Sequence, residues 1–315
     1  MKIVIMEPLG ITHDSFLALT MLLKADGHDI KAYNDRAKTE EELVGRVKDA
    51  DVIILANQPL KKNVIDQCSQ LKMVDIAFTG TDHVDIDCLR QRNIMICNAA
   101  GYSTNAVAEL AFGLAIDLYR SIPVCNETIR KGSSEYKIGN EISGKTFGII
   151  GTGAIGLRVA ELAKAFGCQL LAYSRHVRQE GVAMGITYKS LEDVLSESDI
   201  VSLHLPLTSD TKGLIGKKEI ACMKASAVLI NTARGGVVDY EALAEALNQE
   251  AIAGAGIDVF EQEPPLPKDH PLLSAKNTVL TPHVAFATKE SLYKRAAIVF
   301  ENVRCWLINE PQNIV

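Results

Sequence analysis

Three segments in the second half of the chain end strand-like runs with reactive side chains. They are Asn231-Thr232-Ala233-Arg234-Gly235-Gly236, Asp258-Val259-Phe260-Glu261-Gln262-Glu263-Pro264-Pro265 and Thr281-Pro282-His283-Val284-Ala285-Phe286-Ala287-Thr288. Reduction of a keto acid needs a cation for the carboxylate and carbonyl, and a proton donor near the keto oxygen. Arg234, Glu263 and His283 are the candidates, each just past a strand, where open α/β sheets place ligands. Taken singly, Arg234 reads equally as a surface arginine, Glu263 as a solvated loop carboxylate and His283 as a structural histidine. Spacing in sequence does not bring the three together.

The chemistry also needs a reductant, and a second motif offers a place for one. Gly151-Thr152-Gly153-Ala154-Ile155-Gly156 is a G-x-G-x-x-G run. Alone it would be a glycine-rich turn, but Thr146 to Ile150 before it is strand-like. Ile155, Val159, Leu162, Ala163 and Phe166 then follow helical spacing, and Leu170 to Tyr173 closes a βαβ unit of dinucleotide-binding size. Gly151 would allow the tight turn, Gly153 the approach of a pyrophosphate, and Gly156 close helix–strand packing. The amides of Ala154 and Ile155 open the helix, whose N-terminus favours phosphate.

The end of the second strand chooses the dinucleotide. An acidic residue there would accept from the adenine-ribose hydroxyls. This chain has Tyr173-Ser174-Arg175-His176-Val177-Arg178 instead. Nothing repels a 2′-phosphate, and Arg175 and Arg178 could hold one. The expectation is NADP over NAD; the alternative is a solvated basic loop.

These motifs must be held by a frame. Short apolar runs recur between helical patterns: Ile3 to Met6, Val52 to Leu55, Val74 to Ala77, Ile94 to Cys97, Phe147 to Ile150, Leu170 to Tyr173, Ile200 to Leu205, Val228 to Asn231, Gly254 to Asp258 and Val279 to Thr281. Continuous apolar strands between helices predict parallel sheets covered on both faces, an α/β fold. Two long helices interrupt the rhythm, one after Tyr102-Ser103-Thr104 and one from about Lys289 towards Trp306. The expected organisation is a Rossmann dinucleotide domain, 99–286, inserted in a flavodoxin-like substrate domain made of 1–98 and 287–315, each a doubly wound parallel sheet.

Composition agrees with two such domains. The 315 residues are 47% hydrophobic and 23% charged, with a formal net charge of −6. That balance offers no electrostatic reason to bind nucleic acid or an acidic membrane. The opening Met1 to Met6 reads as a strand rather than as part of a secretory segment. Seven cysteines lie scattered from Cys68 to Cys305 with no C-x-x-C pair, which predicts free thiols in a reducing cytoplasm and no metal site. The fingerprint lies mid-chain, and no tyrosine has a lysine four residues on, so short-chain and L-lactate-type dehydrogenases are disfavoured.

Together the Gly151–Gly156 fingerprint, Asn231–Gly236, Gly256-Ile257-Asp258-Val259, Glu263-Pro264 and Thr281-Pro282-His283 resemble the D-isomer-specific 2-hydroxyacid dehydrogenases, over essentially the whole chain. The resemblance implies that His283 is the general acid of reduction and the base of oxidation. Glu263 would hydrogen-bond its other ring nitrogen and stabilise imidazolium. Arg234 would clamp the substrate carboxylate and polarise its carbonyl. It further implies substrate contacts at the Thr79 and Gly80 amides and at Tyr102, with Thr104 beside the nicotinamide. Asp258 would accept from the nicotinamide amide, while Leu205, Pro206, Thr211, Thr232 and Ala233 would lie along the cofactor.

Within that family, Ala100-Gly101-Tyr102-Ser103-Thr104 and Pro282 to Thr288 look most like the glycerate dehydrogenase or hydroxypyruvate reductase branch. Phe286 stands where that branch often has tryptophan, Ala100 where it has proline, and Ser174 where the family has aspartate. The expected reaction is reduction of hydroxypyruvate or glyoxylate to a D-2-hydroxy acid. The alternatives are a same-fold enzyme for lactate-like or aromatic keto acids and a dinucleotide-sensing, corepressor-like protein. The apolar helix from about Ser103 to Arg120 suggests a homodimer.

Overall fold

The computed structural model describes residues 1–315, which form two compact units: Met1–Ser103 with Ala287–Val315, and Thr104–Phe286. In the first unit β1 (Lys2–Ile5), β2 (Asp29–Ala32), β3 (Val52–Leu55), β4 (Met73–Ile76) and β5 (Met95–Asn98) form one parallel sheet, ordered β2-β1-β3-β4-β5. β3 and β4 are buried along their whole length, as unbroken aliphatic runs such as Val52-Ile53-Ile54-Leu55 require when helices cover both faces. The helix Lys289–Leu307 closes this unit. Thr288 caps it by accepting from the Ser291 amide, and Ala296, Val299, Phe300 and Val303 form its buried stripe.

The second unit holds β6 (Thr146–Ile150), β7 (Gln169–Tyr173), β8 (Thr187–Tyr188), β9 (Ile200–Leu203), β10 (Val228–Asn231), β11 (Gly254–Ile257) and β12 (Thr278–Leu280). They form a seven-stranded parallel sheet ordered β12-β11-β10-β9-β6-β7-β8. The helix Thr104–Arg120 packs within this unit, against the helix Ala154–Ala165 and the sheet. Its Phe112 stacks on Phe147 of β6 at 5.2 Å and lies 5.2 Å from Phe166. No helix of the chain is long and apolar enough to cross a membrane.

The structure departs from the sequence expectations at edges. β2 and β8 were not anticipated. β2 alternates charge into an exposed edge, and β8 has two residues. β1, β4, β9, β11 and β12 stop one or two residues before the expected ends Met6, Ala77, Leu205, Asp258 and Thr281. The expected boundary at 98/99 also moves. The turn Ala99–Ser103 belongs to the first unit, because the Ala99 amide bonds to the Ile76 and Phe78 carbonyls, at 3.0 and 3.1 Å, and Lys294 Nζ donates to the Gly101 carbonyl at 3.0 Å.

Candidate active site

Sheet order explains how residues far apart in sequence meet. β10, β11 and β12 are neighbours, with Asn231 opposite Ile257 and Ile257 opposite Leu280. Their carboxyl ends therefore deliver Arg234, the 258–263 loop and His283 to one edge of the second unit.

His283 and Glu263 form a pair: Nδ1 lies 2.7 Å from Oε1, with the imidazole side chain 27% exposed and the carboxylate 59%. A carboxylate only accepts, so Nδ1 carries the hydrogen and Nε2 is the nitrogen left for chemistry. The Phe286 ring meets the imidazole edge to face at 5.8 Å and 88°. His283 sits at φ +55°, left-handed backbone that a non-glycine residue adopts only when its surroundings enforce it. The enforcing group is Asp258. Its carbonyl accepts from the His283 amide at 2.8 Å, and its buried carboxylate accepts from Thr281 Oγ1, the Val284 amide and the Ala285 amide at 2.6, 2.8 and 2.9 Å. Burial raises the Asp258 carboxyl above the usual range, against the lowering influence of those bonds. Oδ2, which accepts once here, keeps a lone pair for a further donor.

Arg234 follows β10 in an extended conformation, its Nη1 on the Ala233 carbonyl at 2.8 Å. Gly235 beside it packs so tightly that a Cβ would overlap the Phe260 carbonyl, which sets the arginine loop directly against the segment leading to Glu263. A buried amide and phenol fix the loop. Asn231 Nδ2 donates to the Arg234 carbonyl at 3.0 Å and to Tyr240 Oη at 2.9 Å, and Tyr240 Oη donates to the Val259 carbonyl at 2.6 Å. Sequence reasoning missed the roles of Tyr240 and Asn231 and the full work of Asp258. Asn231 and Asp258 stood inside the quoted motifs, but no spacing marks a bond to backbone.

The dinucleotide loop follows β6. Gly151 has φ +99°, and a Cβ there would lie 2.6 Å from the His204 carbonyl and 2.8 Å from Leu205, the start of the Leu205–Pro206 segment. Gly153 caps the helix Ala154–Ala165 and faces open space, and a Cβ on Gly156 would strike the Gly151 carbonyl. Two buried hydroxyls, Thr152 Oγ1 and Thr232 Oγ1, have no hydrogen-bond partner within the chain. Thr152, an orphaned donor next to the open Gly153 and the helix N-terminus, fits a dinucleotide phosphate. His204, half-buried with one ring nitrogen on Ser202 at 2.9 Å, is pushed by desolvation down to about 3 and stays neutral. Thr211 closes its own turn, donating to the Pro206 carbonyl at 2.6 Å and accepting from the Thr208 amide. Ser174 is half-buried after β7, with Arg175 and Arg178 exposed; Thr104 opens the helix Thr104–Arg120.

In the first unit Thr79 and Gly80 follow β4. Their amides bond to nothing in the chain, while Asn98 Nδ2 steadies the Thr79 carbonyl at 2.9 Å. Tyr102 is buried, its ring edge-on to Phe78 at 5.9 Å.

The family model described as "D-isomer specific 2-hydroxyacid dehydrogenase, NAD binding domain" matches residues 112–285. A glycerate dehydrogenase of Methylorubrum extorquens is 38% identical over 300 residues, 91% of this chain and 92% of that one. A glyoxylate reductase of Korarchaeum cryptofilum is 38% identical over 306 residues, 93% and 92% of the two chains. A D-3-phosphoglycerate dehydrogenase of Methanocaldococcus jannaschii is 37% identical over 88% of this chain, which spans about half (54%) of that longer protein. Among solved structures, an acyclic imino acid reductase (Bsp5) in complex with NADPH and D-Arg superposes with a TM-score of 0.90 at 33% identity, covering 100% of both chains. With more than half of its length matched by the family model, and relatives above 30% identity along nearly all of it, the chain belongs to the D-isomer specific 2-hydroxyacid dehydrogenase family, with residues 112–285 as its nicotinamide-dinucleotide-binding domain.

Proposed function

We propose that the chain reduces a small 2-keto acid, hydroxypyruvate or glyoxylate, to a D-2-hydroxy acid with NADPH. The observation that carries this reading is the His283–Glu263 pair at 2.7 Å beside the Arg234 loop. A bound reduced nicotinamide supplies the hydride that the keto carbon takes up. His283 Nε2 gives a proton to the keto oxygen, and Glu263 holds the ring and stabilises the imidazolium in which that proton waits. Arg234 draws the carboxylate and polarises the carbonyl. The Thr79 and Gly80 amides offer two further donors to the carboxylate, Tyr102 bounds the substrate, and Oδ2 of Asp258 accepts from the nicotinamide amide. Leu205, Pro206, Thr211, Thr232, Ala233 and Thr104 line the cofactor. The names of the glycerate dehydrogenase and glyoxylate reductase relatives support the substrate class. Phe286, edge-on to His283, favours small substituents.

NADPH over NADH rests on Ser174, Arg175 and Arg178, and is supported by the NADPH complex of the imino acid reductase. A second reading, reduction of an imine made from a keto acid and an amine, is favoured by that same structural likeness. A panel of glyoxylate, hydroxypyruvate and phenylpyruvate, with NADH and NADPH, with and without an added amine, separates these. Highest kcat/KM with phenylpyruvate would reject the substrate, higher kcat/KM with NADH the cofactor, and turnover only with amine the reaction. Absence of any turnover would leave the corepressor-like alternative.

A homodimer fits the surface. Ala108 and Phe112 of the helix Thr104–Arg120 belong to the core of their own unit, but Val124, Ile129, Tyr136 and Ile138 just beyond it are exposed, the last by 87%. A monomer in sedimentation at micromolar concentration would reject the dimer. All seven cysteines are free, in keeping with a cytoplasmic setting.

A further inference from the structure

Unit one buries a cation that no motif required. Arg295 lies in the second turn of the helix Lys289–Leu307 and is 4% exposed. Its Nη2 donates to the Leu9 carbonyl at 2.8 Å. Its guanidinium carbon stands 4.8 Å from the Phe78 ring centroid and 5.9 Å from that of Tyr102, whose hydroxyl it also hydrogen-bonds. One side chain therefore touches the segments after β1, β4 and β5, all at the carboxyl edge of the sheet. Phe78 is the residue next to Thr79 and Gly80, whose amides bond to nothing in the chain. The same helix grips that edge twice more, through Lys294 on the Gly101 carbonyl and Asn302 Nδ2 on the Asn98 carbonyl at 3.1 Å.

An apolar side chain could fill this space without desolvating a charge. Cation–π contact with two rings recovers part of that desolvation, more so in a dry setting. The rest calls for a task that charge performs. A positive charge in a low-dielectric interior projects its field onto nearby groups with little screening. The nearest free polar groups along the chain are the amides one and two residues beyond Phe78, and donors of that kind suit an anion.

We propose that Arg295 is the positioning residue of substrate binding: it fixes Phe78 and Tyr102 around the Thr79–Gly80 amides and adds its charge to that seat for the carboxylate of a small keto acid. The proposal rests on the keto-acid reading above.

The test uses the full chain with Arg295→Met, Arg295→Lys and Tyr102→Phe. Methionine keeps length and apolar packing while removing the charge. KM for glyoxylate should rise about tenfold or more in Arg295→Met, the worth of one charge-assisted contact, with kcat changed less than about threefold. KM for NADPH and the melting temperature should hold. Arg295→Lys should recover much of the KM, and Tyr102→Phe, which removes only a hydroxyl, should raise it about threefold. An unchanged KM in Arg295→Met, or a joint fall of kcat and melting temperature with no recovery by lysine, would overturn the proposal. Oxalate affinity by calorimetry separates this from failure of the reading itself. If the unsubstituted chain binds oxalate without turning over glyoxylate, the Arg295→Met effect on oxalate affinity decides. If it does neither, reading and proposal fall together.

Discussion

The hydroxyl of Tyr240 is one oxygen whose loss reaches two of the three reactive loops. Tyr240→Phe keeps the ring, with its neighbours Phe260 and His270 at 6.2 and 6.0 Å, and deletes only the bonds to Val259 and Asn231. Two buried hydrogen bonds at about 1 kcal/mol each disappear, and the Val259 carbonyl loses its phenol donor, so the total is about 2–4 kcal/mol. For a unit of this size that is a drop in melting temperature of about 5–10 °C. Burial pushes the phenol far above its ordinary value, so it remains a donor throughout the assay range and the effect should not vary with pH. Asn231 would keep its hold on the Arg234 carbonyl but lose its anchor. We expect kcat/KM for glyoxylate to fall about tenfold, with KM for the dinucleotide nearly unchanged. Calorimetry and steady-state kinetics on the same preparation check both. A melting temperature within about 1 °C of the parent together with unchanged kcat/KM would refute the claim that this oxygen ties the arginine loop to the glutamate loop.

Other substitutions test other parts. His283→Ala should lose about 10²–10⁴-fold in kcat while its melting temperature holds, and near-normal turnover would remove the imidazole from proton transfer. Ser174→Asp should shift preference towards NADH by about ten- to a hundredfold, read as a ratio of kcat/KM values; an unchanged ratio would return Arg175 and Arg178 to a solvated loop. Asp75, within β4, is fully buried, with Oδ1 on Asn302 at 3.1 Å and Oδ2 unpartnered, and burial pushes its carboxyl well above the usual range. The folded-state value exceeds the unfolded one, so its contribution is most favourable below about pH 4 and is lost as pH rises towards the folded value, by about 1.4 kcal/mol per unit. Asp75→Asn should therefore raise the melting temperature, and the gain should grow from pH 5 to pH 7; a gain that is flat with pH would contradict this.

The parallel, doubly covered sheets were legible because runs such as Val52-Ile53-Ile54-Leu55 leave no polar face, and the glycine loop because strand, glycines and helix arrive in order. β2 was not, since Asp29 and Lys31 make it read as loop when in fact they guard an edge. At the site, residues chosen for reactive chemistry were visible from type and motif, and the structure brings His283 and Glu263 to 2.7 Å. The groups that hold them were not visible. Asp258 works through backbone amides at 284 and 285, Tyr240 through a carbonyl at 259, and Arg295 through a carbonyl at 9. Bonds to backbone leave no residue-type pattern in the partner, so one sequence carries no trace of them.

The first unit is assembled from two stretches of chain separated by the whole of the second. Synthesis runs from the N-terminus, so the strands of the dinucleotide unit, with Arg234 and Glu263 beyond them, leave the ribosome before the helix Lys289–Leu307 does. Until that helix emerges, Asp75 lacks Asn302, the Leu9 carbonyl lacks Arg295, and the Gly101 carbonyl lacks Lys294. A nascent chain therefore exposes Arg234 and Glu263 before it gains the supports of its Thr79–Gly80 loop. A chain cut before residue 289 would keep every strand of both sheets, yet its first unit would lack the contacts made by Lys294, Arg295 and Asn302.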